Sequence, residues 1–254
     1  MKHVVIDGLR IEYRDIPAAQ TDLPTLVLLH EGLGCVAMWR DFPDKLAAKT
    51  GCRVVVYSRP GYGQSDPHLA PRQPDYMHRE AQDILPAFLA ALQIEWPLLI
   101  GHSDGGSIAL IHAGTFPERV AGLVVMAPHE FIEEETLAGI RAARAFWQNS
   151  DWPQKLARYH RNPAQVFSDW NDCWLSPEFR DWNIERCLPS ITCPVLAIQG
   201  EDDEYATMRQ IEVIAEQVPV VQLLKLARCG HTPQRDQEAA VLDAIAAFLP
   251  RVCG

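Results

Sequence analysis

The sequence predicts a doubly wound α/β fold, with a mostly parallel sheet of eight strands and one helical insertion. Three observations carry this. Short, continuous apolar runs recur along the chain, helical segments alternate with them, and between about His129 and Ser190 the alternation stops. Continuous apolar runs suit strands covered on both faces, and the alternation suits parallel strands joined by crossover helices.

Taken in order, Val4-Val5-Ile6 and Leu9 to Ile16 read as a hairpin joined at Asp7-Gly8, a favoured tight-turn pair. Six buried strands follow: Leu26 to Leu29, Val54 to Tyr57, Leu98 to Ile100, Leu123 to Met126, Val195 to Ile198 and Val220 to Leu226. Between them lie helical stretches at Phe42 to Lys49, Tyr76 to Leu92, Gly105 to Thr115, Met208 to Gln217 and Gln237 to Phe248. Residues 129–190 read as a helical cap over the carboxyl edge of the sheet, with 1–128 and 191–254 as the core. Five of the seven tryptophans fall in this cap. Most of its aromatics are expected to form its own core, and a few, among them Trp147, Trp170 and Trp174, to face the cleft.

At 254 residues the chain suits one large core. A net charge of −10 makes nucleic acids and anionic membranes poor partners. No apolar run approaches a membrane span, and the N-terminal stretch is too short and polar for a signal peptide. The seven cysteines are scattered without a Cys-x-x-Cys pair, so neither a disulfide framework nor a zinc site is indicated. The expectation is a cytoplasmic protein with a small-molecule substrate and no metal or cofactor; its oligomeric state is open.

The chemistry concentrates where Leu98-Leu99-Ile100 breaks at Gly101-His102-Ser103-Asp104-Gly105 and continues as a helix. A serine on a sharp strand-to-helix turn leaves no room for side chains two positions to either side, and the turn lifts its Oγ clear of the sheet. The following helix aims its unpaired N–H groups at the same point. A serine hydroxyl needs a base, and the base needs a carboxylate to fix its tautomer. Later strand ends supply Glu201-Asp202-Asp203-Glu204 and Gly230-His231, in the order this topology requires.

With these residues the chain resembles the α/β-hydrolase superfamily over nearly its whole length. The signals are His30-Glu31-Gly32-Leu33-Gly34, Ser58-Arg59-Pro60-Gly61-Tyr62-Gly63-Gln64-Ser65, Gly101-His102-Ser103-Asp104-Gly105, Gly200-Glu201-Asp202-Asp203 and Gly230-His231. The resemblance implies Ser103 as nucleophile, His231 as base and Asp203 as the orienting acid, because the family's acid stands three residues after that glycine. It also implies an oxyanion hole from the backbone of Asp104 and of Gly32 or Leu33. Glu31 departs from the family's usual His-Gly, which leaves the second donor open by one residue.

Asp104 and Glu31 admit two readings. As inward carboxylates beside an oxyanion hole they would suit an amine-bearing substrate. Alternatively, Asp104 is an ordinary first-turn acid and Glu31 turns away to Arg59 or solvent, which is the favoured reading. His129, at a strand end near the substrate path, is a candidate contact residue. His102 is expected to pack away from the pocket mouth, His30 to bond loop backbone, and His160 to be ordinary.

The leading expectation is a serine hydrolase acting by acyl transfer on a small or medium, largely apolar ester. A C–C bond hydrolase of a diketone-type ring-fission product and cofactor-free peroxidase chemistry use the same triad. From another class, a ligand-binding protein with slow or no turnover remains open. Dehalogenases and epoxide hydrolases are disfavoured, since they place Asp where this chain has Ser103.

Overall fold

Asp7 and Gly8 both adopt positive φ, 49° and 81°, and close β1 (Lys2–Ile6) onto β2 (Leu9–Ile16) as a two-residue hairpin. The computed structural model describes residues 1–20, 22–68 and 72–253. Among these, β1 and β2 join β3 (Leu26–Leu29), β4 (Val54–Tyr57), β5 (Leu98–His102), β6 (Gly122–Met126), β7 (Val195–Gly200) and β8 (Val221–Leu226) in one eight-stranded sheet. The order is β1-β2-β4-β3-β5-β6-β7-β8. β2 runs antiparallel to β1 and β4; the other six strands are parallel.

Every residue of β3 to β7 is buried, the pattern expected of strands covered on both faces. Alternate residues feed two separate cores. Val27, Val55, Leu99 and Val125 face one side, and Leu28, Val56, Ile100 and Val124 face the other. On the second side lie α1 (Phe42–Thr50) and, later in the chain, α10 (Glu238–Phe248), through Phe42, Leu46, Val241 and Ile245. The first side is covered by α2 (Tyr76–Arg79), α3 (Leu85–Ala91), α4 (Asp104–Thr115) and α8 (Arg209–Gln217).

The stretch expected as one helix from Tyr76 to Leu92 is divided. A π turn at Glu80–Ile84 separates α2 from α3, just before Pro86. Proline has no N–H to give the preceding turn and its ring crowds the carbonyl there, so the wider turn absorbs the misfit.

Residues 129–190 hold α5 (Glu134–Asn149), α6 (Trp152–Leu156) and α7 (Pro163–Trp174), then 3-10 turns at Pro177–Phe179 and Glu185–Ser190. An isolated antiparallel bridge pairs Phe131 with Asn183, a strand-like contact the apolar pattern does not signal. Gly139 of α5 lies against the Glu204 carbonyl and the Tyr205 ring, a closeness that a Cβ would obstruct. Short helices α9 (Pro233–Asp236) and α11 (Pro250–Cys253) complete the described residues, in which no helix is long and apolar enough to cross a membrane.

Candidate active site

β5 ends at His102 and α4 begins at Asp104, so Ser103 makes the whole turn alone, at φ 52° and ψ −121°. That conformation is strained for a residue with a Cβ and persists only where its surroundings enforce it. Here they do. A Cβ on Gly101 would overlap the Gly105 carbonyl, and one on Gly105 would overlap that of Leu29. The Ser103 N–H donates to the Met126 carbonyl at 2.9 Å, and its own carbonyl accepts from Gly106 at 2.8 Å.

The turn after β7 and the loop after β8 bring two further groups to Ser103. Its Oγ–H donates to His231 Nε2 at 2.9 Å, and His231 Nδ1–H donates to both Asp203 oxygens at 2.9 Å, with tautomers assigned from these partners. Asp203 also accepts from Gln199 Nε2 at 2.7 Å and the Tyr205 N–H at 2.8 Å. Burial works to raise its carboxyl, but the His231 hydrogen bond and charge and the Tyr205 N–H outweigh it and hold it below the usual range. Burial likewise works to depress His231, and the Asp203 hydrogen bond and charge carry it above the ordinary histidine value.

A turn after β3 approaches from the other side. The Gly34 N–H donates to the Glu31 carbonyl at 3.0 Å. That i-to-i+3 bond leaves the N–H groups of Gly32 and Leu33 outside it. The indole of Trp170 lies directly on Gly32, where a Cβ would sit. His160 holds the turn from below: its Nε2–H donates to the Leu33 carbonyl at 3.0 Å, and its Nδ1 accepts from the Gly63 N–H at 2.9 Å. Sequence reasoning passed His160 over, and no local spacing signals a side chain that reaches loops about a hundred residues away.

The carboxylate of Asp104 does not face the cavity. Oδ2 accepts from Tyr76 Oη at 2.7 Å and meets Arg59 at 3.4 Å, both partners buried. Trp174 Nε1 in turn donates to Tyr76 Oη at 2.9 Å. Arg59 Nη2 donates to the Glu31 carbonyl at 2.8 Å, so Arg59 pairs with the side chain of Asp104 and only the main chain of Glu31. Of the two expected directions for the Glu31 side chain, Arg59 or solvent, the contact with Arg59 is corrected accordingly. Glu31 instead folds its carboxylate over Gly34 and toward His102. His30 matches its expectation of bonding loop backbone, with Nδ1–H donating to the Glu31 carbonyl at 2.7 Å.

These groups open on a cavity of about 560 Å³. Ser103, His231, Gly32, Leu33 and Glu31 line it, as do His129, Trp170 and Trp174. Burial, helped by His231, pushes His129 down to about 4, so it is neutral at physiological pH, with its ring centroid 5.1 Å from that of Trp174. Trp147 is not among the described lining residues. It stacks on Phe167 at 4.2 Å, inside the packing of the helical stretch, because the face of α5 that carries it meets α7 rather than the sheet. The residues that sequence reasoning missed include Ile140, Trp152, Leu156 and Tyr205 on the wall, and Arg40 and Arg235, both exposed. His102 also borders the cavity, with its ring buried and bonded to the His231 carbonyl. Among the described residues no group of three or more His, Cys, Asp or Glu side chains converges on a metal position.

The sequence pattern of the alpha/beta hydrolase fold matches residues 24–164. Serine hydrolase BPHL of Mus musculus is 28% identical, covering 79% of this chain and 69% of that protein. The 2-hydroxy-6-oxononadienedioate/2-hydroxy-6-oxononatrienedioate hydrolase of Burkholderia vietnamiensis is 26% identical, covering 98% of this chain and 94% of that one. Among solved structures, an esterase from Thermogutta terrifontis superposes over 100% of both chains with a TM-score of 0.78 at 20% identity, a likeness of fold.

Proposed function

The chain belongs to the alpha/beta hydrolase fold family, and from that premise we propose that it is a serine hydrolase acting by acyl transfer on a small or medium, largely apolar carboxylic ester. The observation that carries the reading is the continuous line from Ser103 Oγ through His231 to Asp203, each contact at 2.9 Å, at the wall of an aromatic cavity.

In this mechanism His231 Nε2 takes the Ser103 proton as Oγ attacks the ester carbonyl. The carbonyl oxygen, now negative, is held by the N–H of Asp104 and by the free N–H groups of the Gly32-Leu33 turn. The imidazolium, steadied by Asp203, returns its proton to the leaving alkoxide, and an acyl group remains on Ser103. Water then gives a proton to His231 and its hydroxide to the acyl carbon, which releases the acid and restores Ser103. The acyl group rests against Ile140, Leu156, Trp170 and Trp174. Residues 129–190, which supply these four side chains, act as the cap. The carboxylate of Asp104 is turned to Arg59, which favours esters without an amine over amine-bearing ones.

A second reading, hydrolysis of a C–C bond in a diketone-type ring-fission product on the same groups, is supported by the nearly full-length likeness to the dienedioate hydrolase. The buried thiols of Cys35, Cys173, Cys193 and Cys229 support a reducing, cytoplasmic setting.

The test joins a fluorophosphonate probe to a substrate panel. Labelling at Ser103 with turnover of graded acyl esters is the expected result, and turnover of a vinylogous diketone alone would favour the second reading. A folded protein that neither labels nor turns over would return the chain to a binding role.

A further inference from the structure

His102 stands one residue before Ser103 and is 2% exposed, yet both of its ring nitrogens are engaged. Nε2–H donates to the main-chain carbonyl of His231 at 2.7 Å. Nδ1 accepts from the Gln234 amide at 3.0 Å and faces the Glu31 carboxylate, whose Oε2 is 3.6 Å away. The two imidazole centroids are 5.3 Å apart. The carboxylate fills space that a Cβ on Gly34 would take, so the turn after β3 is shaped to fold Glu31 back toward His102.

We infer that Glu31 and His102 are positioning residues for His231: His102 clamps the histidine's main-chain carbonyl, and Glu31 supplies a second negative charge that favours the imidazolium formed when Ser103 gives up its proton. This rests on the acyl-transfer reading of Ser103, His231 and Asp203. One face of His231 opens on the cavity, and named groups meet the rest. Asp203 accepts from Nδ1–H, Ser103 Oγ meets Nε2, Glu204 accepts from the main-chain N–H at 3.2 Å, Tyr205 and His129 pack against the ring at 4.8 and 5.8 Å, and His102, with Glu31 beside it, packs at 5.3 Å. Burial works to raise the Glu31 carboxyl, yet it stays below the usual range, with its own main-chain N–H and the charge of Arg59 among the groups that hold it there, so the charge is present at neutral pH. Glu31 in turn is among the charges that lift His231.

The proposal predicts a sign. A carboxylate aimed at the oxyanion would oppose the transition state, and its removal would speed the reaction. One that serves the imidazolium must slow it when lost. The experiment compares Glu31→Gln, His102→Leu and His102→Gln on an ester that the wild type hydrolyses, reading kcat, KM, the pH profile of kcat/KM and Tm. Glu31→Gln should lower kcat about 3- to 10-fold, as expected for one charge at this range, with KM unchanged and the acid limb moved to lower pH. His102→Leu should lower kcat about 10- to 100-fold through misplacement of His231. His102→Gln, whose amide can still donate to the carbonyl, should recover most of that loss. A rise in kcat in Glu31→Gln, an unmoved acid limb, or losses that follow Tm alone with no rescue by glutamine would overturn the proposal. Failure of the hydrolase reading shows separately, as a wild-type protein that neither labels at Ser103 nor turns over.

Discussion

The Asp104 carboxylate and the Arg59 guanidinium meet at 3.4 Å with almost no solvent on either, 45 residues apart in sequence. The carboxylate that follows the nucleophile is thus committed to the interior, while its backbone N–H remains available at the start of α4. Removing one partner strands the other charge. Arg59→Met is expected to destabilise the fold by about 3–5 kcal/mol, read as a lowered midpoint in chemical denaturation. A loss below about 1 kcal/mol would mean the pair is not sealed from water.

If the carboxylate of Asp104 is out of reach of the cavity, Asp104→Asn should leave substrate choice alone. Matched esters with and without a free amine, compared by kcat/KM in both proteins, should give the same ratio, even as overall activity and Tm fall. A loss of amine preference confined to the variant would place that carboxylate against the substrate.

Ser103→Ala should lower kcat by on the order of 10⁴-fold or more while leaving the affinity for a bound product near that of wild type, since one hydroxyl is a small part of the cavity wall. Isothermal titration beside turnover assays separates the two. Affinity that collapsed along with turnover would point to a disturbed turn rather than a lost nucleophile.

The pH profile follows from His231. It accepts a proton only when neutral, and its pKa is raised above the ordinary value of 6.5. The acid limb of kcat/KM should therefore have its midpoint above that value, and Asp203→Asn should cost about 10⁴-fold in kcat through the wrong tautomer. Stability runs the other way. The charged His231–Asp203 pair contributes fully below the unfolded histidine's pKa and is lost as pH rises through the higher folded one.

Gly139→Ala sets two effects against each other. A helix gains about 1 kcal/mol when alanine replaces glycine. The new Cβ, however, would stand 2.9 Å from the Glu204 carbonyl and 2.7 Å from the Tyr205 ring. Backbone yields less readily than a side-chain tip, and overpacking costs about 1–3 kcal/mol, so the net effect should be a lower Tm. Since Tyr205 N–H and Asp203 share that turn, kcat should fall as well.

What was legible in the sequence is what local spacing encodes. The apolar runs, the Asp7-Gly8 turn and the glycines around Ser103 each follow from short-range sterics, and the order of Ser103, Asp203 and His231 follows from the parallel topology. The rest depends on which loops pack together. Tyr76 reaching Asp104, His102 reaching the His231 carbonyl and Trp147 stacking on Phe167 are long-range pairings that neither periodicity nor propensity specifies. The identity of Arg59's partner fell to the same ambiguity, since Glu31 and Asp104 are both acids just past the ends of the adjacent strands β3 and β5.

His160 carries a consequence for building chimeras of this chain. One imidazole satisfies the Gly63 N–H and the Leu33 carbonyl, two main-chain groups on separate loops of the sheet. Residues 129–190 are therefore not an interchangeable module. A graft that brought another helical stretch without a donor and acceptor at this place would leave both loops short of a partner, and would loosen the sheet's own turns before any substrate arrived.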